Sequence, residues 1–167
     1  GGVETYFYLD GSLNSGSGPT TIFPDGSYLR LGTGGDLYMY HNGTNSYFLN
    51  DTGDFYIANR ANDKDIIFQS DDGSGGYETY FFLDGSASSG NPFTVFPDLS
   101  ELAFGNSRDF RIKHSSSDNY ITGYTGDIYI RNDATDKDIV FQTDDGSGGM
   151  TQYIRLDGSA GLTQFDK

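Results

Sequence analysis

The sequence contains no cysteine and no tryptophan, and only 4 of its 167 residues are proline. Without cysteine the chain has no disulfide framework, no thiolate metal site and no cysteine nucleophile. It also lacks any run of 18 apolar residues and any signal-peptide pattern, so we expect no membrane insertion. Basic residues are scarce too: 10 Lys and Arg stand against 24 Asp and Glu, and this balance argues against a nucleic-acid partner.

Large aliphatic residues and helical patterns are also in short supply. Leu, Ile, Val and Phe account for 37 of the 167 residues, close to the level at which charged chains stay disordered. No segment places apolar residues at i, i+3, i+4 and i+7 over the length of a helix, so we predict almost no helix. What the chain has in quantity is glycine, with 24 residues, and Tyr and Phe, with 13 each.

The chain is an internal repeat. One segment occurs three times, as GGVETYFYLDGS at 1–12, GGYETYFFLDGS at 75–86 and GGMTQYIRLDGS at 148–159. Another occurs twice, as ANDKDIIFQSDDGSGG at 61–76 and ATDKDIVFQTDDGSGG at 134–149. We therefore divide the chain into repeat unit 1 (1–74), repeat unit 2 (75–147) and the start of a third unit (148–167). The pattern is interrupted at both ends, so we expect a longer array.

Each unit carries short alternating apolar segments separated by Gly, Asp, Asn and Ser, which is typical of all-β proteins. In unit 1 we predict strands near 3–9, 20–23, 28–31, 36–41, 46–49, 54–58 and 65–69. In unit 2 we predict them near 77–83, 93–96, 101–104, 109–114, 119–122, 127–131 and 138–142.

Comparison of the two copies predicts which side of each strand faces inward. In DLYMYH and DFRIKH one parity stays apolar apart from a shared histidine, with Leu37, Met39 and His41 matching Phe110, Ile112 and His114. The other parity changes from Tyr38 and Tyr40 to Arg111 and Lys113. A position that accepts a cation faces water or a partner, so we expect the parity that stays apolar to form the core. Segments 66–68 and 139–141 are apolar on both parities, which predicts strands covered on both faces.

Each unit offers only about two inward apolar residues per short strand, which is little for a free-standing domain of about 70 residues. The missing burial has to come from the next repeat or from identical chains wound around a shared axis. We favour an all-β, repetitive, elongated fibre of three intertwined chains, a homotrimeric β-prism or β-helix. A single-chain β-solenoid and a string of tandem small β-sandwiches are the alternatives.

The order of motifs adds a resemblance. The succession DLYMYHNGTNSYF, TGDFYIAN, NDKDIIFQSDDGSGG and TYFFLDGS resembles the repeat modules of tail-fibre proteins from marine phages, cyanophages in particular. Unit 2 departs from it at 113–117, where the His-Asn-Gly turn is replaced. The resemblance implies an elongated trimeric shaft that carries, or connects to, a receptor-binding tip, and it implies no catalytic residue.

Several residues are candidates for binding chemistry. The DDGSGG loops at 71–76 and 144–149 have the composition of calcium loops without the spacing, so we interpret them as hairpin turns. His41 and His114 occupy the same inward repeat position and would ligate a metal if three copies met on an axis; we interpret them as hydrogen-bonded strand-end residues. Tyr38, Tyr40 and Tyr56 are candidate sugar-stacking rings, with interchain packing as the alternative.

These observations predict a structural shaft segment of a viral tail fibre or similar appendage that supports host attachment. We expect a homo-oligomer, with a trimer preferred, on the virion or outside the cell, and contact with a host glycan or receptor through adjoining domains. We predict no enzymatic activity and no cofactor. The alternatives are a carbohydrate-binding module for host polysaccharide and an environmental or cell-surface filament of stacked repeats.

Overall fold

The computed structural model describes residues 2–11, 18–87 and 90–166. Over these ranges the fold is all-β, as predicted, and contains no helix, hence none long and apolar enough to cross a membrane. Fourteen strands in the described part of the chain form five small antiparallel sheets, and none of these sheets is closed. The strands fall into two units, Gly1–Ala61 and Asn62–Lys167.

The first unit contains two sheets. Strand β1 (Tyr8–Asp10) pairs with β2 (Thr20–Ile22), and a three-stranded meander follows, with β4 (Leu37–His41) between β3 (Tyr28–Leu31) and β5 (Ser46–Asn50). Glycine- and asparagine-containing turns separate strands rich in Tyr, Phe and Leu, which suit a pleated sheet.

The second unit contains three sheets, each a three-stranded meander. Its strands are β6 (Ile66–Asp71), β7 (Tyr77–Asp84), β8 (Phe93–Val95), β9 (Glu101–Phe104), β10 (Phe110–His114), β11 (Asn119–Gly123), β12 (Ile139–Asp144), β13 (Met150–Asp157) and β14 (Leu162–Phe165). In every sheet the middle strand in sequence is also central in space. The hairpin of β6 and β7 spans residue 74, so a sheet crosses the repeat boundary that we drew from sequence; the repeat ranges themselves stay a prediction.

Most predicted strands are present, with bounds within a residue or two of those predicted. Two predicted strands are absent. Segments 54–58 and 127–131 contain no strand, turn or bend, although both have the alternating pattern. The strand predicted at 3–9 is shortened to β1. Its counterpart β7 pairs with β6 from Tyr77 to Leu83, apart from the bulged Tyr80, whereas β1 pairs only with β2.

Two sheets each have one bulged residue in their central strand. Tyr80 lies outside the ladder between the pairs Phe68–Phe81 and Gln69–Thr79, and Tyr153 occupies the same place in β13. A bulge leaves a backbone group without a ladder partner. The Ser100 hydroxyl donates to the Tyr80 carbonyl at 2.7 Å, and the Asp166 N–H donates to the Tyr153 carbonyl at 3.2 Å. The following segment therefore completes the hydrogen bonding of each bulge.

Turn geometry is preserved between the copies even where glycine is lost. Gly26, at φ 77°, donates its N–H to the His41 carbonyl at 2.8 Å. Leu99 replaces it in the second copy, keeps φ at 68°, and donates to the His114 carbonyl at 2.9 Å. The departure at 113–117 likewise keeps its turn, since the Ser115 N–H donates to the Asp118 carbonyl at 2.9 Å.

The expected core is not covered within one chain. No side chain of the described residues is buried. The registers confirm the predicted grouping of residues on faces, with Met39 between Leu29 and Phe48 and Ile112 between Leu102 and Ile121. The prediction that 66–68 and 139–141 are covered on both faces is wrong for the single chain. In the described chain both faces stay open because no second layer packs on these sheets, which leaves Ile67 55% exposed on one face of β6 and Phe68 39% exposed on the other.

We predict that Gly85→Ala destabilises the fold by about 1–3 kcal/mol, because the new methyl group would overpack a rigid site. A Cβ on Gly85 would lie 2.3 Å from the Lys64 carbonyl oxygen, and the Gly85 N–H donates to Asp65 Oδ1 at 3.0 Å. Gly11 occupies the same motif position with nothing within 4 Å, so Gly11→Ala is the matched control. Chemical unfolding at fixed protein concentration measures both; equal effects would contradict the prediction.

Candidate interaction surface

One face of each meander stays apolar in both copies, and we name it the constant apolar face. In the first copy it comprises Leu29, Leu31, Leu37, Met39 and Phe48, and in the second Leu102, Phe104, Phe110, Ile112 and Ile121. Its residues lie open to solvent: Met39, on the central strand β4, is 48% exposed, and Ile121, on the edge strand β11, is 64% exposed. Because apolar surface of this extent is normally removed from water, the face has the character of an interaction surface.

The segment that follows each meander borders this face. In the first unit the Phe55 ring contacts the Phe48 ring edge-on, with centroids 4.9 Å apart. In the second unit Ile128 lies against Gly123, where a Cβ would approach the Ile128 side chain to 3.1 Å. An open groove of about 640 Å³ results, and its apolar lining consists of Phe104, Phe110, Ile112, Ile121, Ile128 and Ile130.

The opposite face of the first meander carries a row of tyrosines. Tyr40 is flanked by Tyr28 and Tyr47, with ring centroids 4.6 and 4.8 Å away, and the Arg30 guanidinium lies over Tyr28 and Tyr38. Desolvation by this packing raises the pKa of the Tyr40 hydroxyl, and the charges that its tyrosine neighbours would acquire add to the effect. Neighbouring rings therefore cover both faces of Tyr40.

In the second meander an ion cluster replaces the tyrosine row. Glu101 accepts from Arg111 at 3.0 Å and from Lys113 at 3.2 Å. The two cations also lie over aromatic rings, Arg111 over Tyr124 and Lys113 over Tyr120. The Lys113 hydrogen bond and the positive charges of Arg111 and Lys113 hold the pKa of Glu101 below its usual value. This face thus changes its chemistry between copies while the constant apolar face does not.

The candidate sugar-binding tyrosines do not form one platform. Tyr38 and Tyr40 belong to the tyrosine row, with ring centroids 6.2 Å apart. Tyr56 lies outside it, 83% exposed, with its hydroxyl 3.3 Å from Asp54 Oδ2. Sequence reasoning missed that Tyr28 and Tyr47 share the face with Tyr38 and Tyr40. The period-two spacing within each strand was the pattern that could have found them.

The histidines form hydrogen bonds at strand ends. His41 Nδ1 lies 3.0 Å from Ser46 Oγ, and His114 Nδ1 lies 3.0 Å from Asn119 Oδ1. His114 Nε2 is also 3.9 Å from Asp98 Oδ1. Over the ranges that the structure describes, no three His, Asp or Glu side chains group as metal ligands. A cluster built from several chains stays a prediction.

The acidic glycine loops use their carboxylates internally. Asp72 Oδ1 accepts from the Ser74 N–H at 2.7 Å, the Ser74 hydroxyl at 2.8 Å and the Gly76 N–H at 3.2 Å. Asp145 binds Ser147 and Gly149 in the same way. The Leu-Asp-Gly-Ser turns are held in the same way. Asp84 and Asp157 each accept three hydrogen bonds from the residues two and three positions further along the chain.

Comparisons with known proteins add no family to this description. No family model matches the chain, and no curated protein or solved structure is significantly similar to it. The candidate function therefore has to be argued from the residues and their geometry.

We predict that stability falls as the pH drops below about 4, the ordinary pKa of aspartate. Hydrogen bonds from the turn residues lower the pKa of Asp72, Asp84, Asp145 and Asp157. A carboxyl whose pKa is lowered by folding stabilises the fold above its unfolded pKa, and this contribution is lost as the pH falls through the folded pKa. Thermal unfolding followed by near-UV circular dichroism between pH 6 and 2 measures the effect.

The matched variant is Asp157→Asn, which should be less stable at pH 6 and less sensitive to acid than the parent chain. A melting temperature independent of pH over this range would contradict the prediction.

We predict that the ion cluster on the opposite face of the second meander can be replaced by the tyrosines of the first meander. The triple variant Glu101→Tyr, Arg111→Tyr and Lys113→Tyr copies Tyr28, Tyr38 and Tyr40. It should change the thermal midpoint little, because aromatic cross-strand pairs replace partly buried cross-strand ion pairs and both kinds of pair contribute about 0.2–1 kcal/mol. As a control, Glu101→Lys brings three cations together and should lower the midpoint. A triple variant that unfolds as readily as the control would count against this exchange.

Proposed function

We propose that this chain is a structural shaft segment of a fibrous appendage, in which identical chains associate through their constant apolar faces. The absence of any buried side chain in the described ranges carries the proposal. The chain exposes 13526 Å². A compact folded monomer of this mass exposes about 8,100 Å², and two separate compact domains would together stay below about 10,000 Å².

The excess of about 3,500 Å² or more belongs to one chain and is larger than the roughly 1,000–2,500 Å² that each partner contributes to the interface of a permanent homo-oligomer. Burial is also needed for folding at all. Ordering each residue costs about 1–2 kcal/mol of backbone entropy, and hydrophobic burial is the main term that offsets it. A single chain that leaves Met39, Phe104 and Ile121 about half exposed or more gains too little free energy from hydrophobic burial to offset this cost.

The difference between the two faces supports identical chains in a repetitive assembly. The face that would be buried keeps its apolar residues from one copy to the next, whereas the opposite face changes from tyrosines to ions. The acidic turns bond within themselves and present their remaining charge to solvent. Repeated along an array, these properties give a filament with an apolar interior and a negative exterior.

The resemblance to phage tail-fibre repeats supports three chains and a place on the virion. In that setting the segment spans distance between the particle and a receptor- or glycan-binding end supplied by adjoining domains. Several identical chains displayed together raise the avidity of such an end without new contacts.

The alternative of a carbohydrate-binding module has less support. The tyrosine row occurs only in the first copy, and its central ring is covered on both faces by neighbours. A filament of single chains stacked repeat on repeat is also less favoured, because within each unit of the described chain no second sheet packs on the constant apolar face, which is bordered by the segments that carry Phe55 and Ile128. Electron microscopy separates one chain from three per cross-section.

We predict that Ile121→Asp dissociates the assembly, because it places an unpaired carboxylate on a surface that association removes from water. Light scattering of the parent chain should give about three times the 18.3 kDa chain mass, and the variant should shift towards one chain at the same concentration.

Thr122→Asp is the matched control. It introduces the same charge one residue away, on the opposite face, where Arg111 is its cross-strand partner. The control should keep the parent mass. A parent chain that is a stable, folded monomer would overturn the proposed function.

A further inference from the structure

Two segments have the sequence of β-strands and no strand partner, and we name 54–58 and 127–131 the open segments. Both alternate around a central tyrosine, with Phe55 and Ile57 in the first and Ile128 and Ile130 in the second. Every residue in them is exposed, and Tyr56 and Tyr129 are both 83% exposed.

The open segments repeat the same local geometry. The Tyr56 hydroxyl lies 3.3 Å from Asp54 Oδ2, and the Tyr129 hydroxyl lies 3.3 Å from Asp127 Oδ2. Side chains two residues apart meet in this way when they project from the same side of an extended chain. Both copies therefore hold the open segments in a conformation suited to pairing.

Their backbone groups are unused in the single chain. In the described part of the protein, no N–H or carbonyl of 55–58 or 128–131 takes part in a backbone hydrogen bond. A row of unpaired N–H and carbonyl groups on an alternating apolar segment is a template for a strand of another molecule.

The spacing of the open segments indicates what that molecule is. Corresponding residues such as Tyr56 and Tyr129 are 73 positions apart, which is the repeat length of the chain. A partner that pairs with both segments in the same way has to present matching strands at the same interval. A second copy of this chain does so without any further requirement.

We propose that the open segments are intermolecular strands, each forming a backbone ladder with another copy of this chain. This inference rests on the self-association proposed above and adds to it: side chains of the constant apolar face supply burial, while the open segments supply directional hydrogen bonds. Such bonds set the axial register between chains, which apolar contact by itself specifies poorly.

Hydrogen exchange on the assembled protein tests this proposal. We expect alternate amides within 55–58 and 128–131, those on the paired edge of each segment, to exchange at least about 100-fold more slowly than in an unstructured peptide. Light scattering on the same sample reports the assembly. An oligomer whose open segments exchange freely would overturn the inference and leave the proposed function standing, whereas a monomer would overturn both.

Proline variants provide a second test. Tyr129→Pro and Ile130→Pro each remove one N–H, and residues next to each other point their N–H groups to opposite sides of a strand. The single chain loses no backbone hydrogen bond in either variant, so its own sheets should persist. The contact of the Tyr129 hydroxyl with Asp127 is lost in Tyr129→Pro and equally in its control. We expect at least one variant to raise the dissociation constant of the assembly 10-fold or more.

Tyr129→Thr and Ile130→Ala are the controls, because they remove the same side chains and keep the N–H. The proposal requires the proline variant to be weaker than its own control. Equal dissociation constants for both pairs would overturn it.

Discussion

The constraint on which this structure depends is the scarcity of apolar surface that one chain can cover for itself. Strands of three to eight residues joined by glycine turns make small sheets, and a small open sheet has two faces and no second layer. An isolated sheet of this kind gains little from the hydrophobic effect. The outcome in a single chain is a set of small hydrogen-bonded sheets whose side chains stay uncovered.

The acidic composition has a local explanation. Asp72 and Asp145 close glycine turns by accepting three hydrogen bonds each, and Asp84 and Asp157 do the same where β7 and β13 end. Hydrogen bonds to the carboxylate, and not side-chain packing, fix the conformation of these turns. The negative charge and the low apolar fraction therefore have related origins. Aspartate oxygen atoms hold the turns by hydrogen bonds, and the few apolar residues lie on sheet faces that a single chain leaves uncovered.

Much of the fold was predictable from sequence because the two copies act as an internal comparison. The replacement of Tyr38 and Tyr40 by Arg111 and Lys113, beside the persistence of Met39 as Ile112, was enough to assign the faces. Burial was not predictable in the same way, because parity tells which residues share a face and not whether anything covers it.

The open segments likewise show that a sequence pattern does not tell whether a segment has a partner. Alternation predicted strands at 54–58 and 127–131, and the local chain agrees with that pattern, but a strand also needs a neighbour. The interaction surface was predicted as a core because a core and an interface obey the same periodicity. The tyrosine row around Tyr40 was missed although the spacing within each strand already places its members on the outer face. Which of these rings lie side by side depends on the register of three strands, and the sequence does not state that register.

The exchange of Gly26 for Leu99 at an almost unchanged φ has a wider consequence. If the hydrogen bond to the strand-end carbonyl imposes the turn, then a repeat can diverge in composition as long as each strand keeps its number of residues. One residue added inside a strand would send the apolar side chains that follow it to the wrong face. A loop tolerates such a change: the loop between β7 and β8 is one residue shorter than the loop between β1 and β2, and the pair Leu9–Thr21 still recurs as Leu83–Thr94. Sequence divergence in such an array is therefore restricted mainly by the lengths of the strands and less by the lengths of the loops.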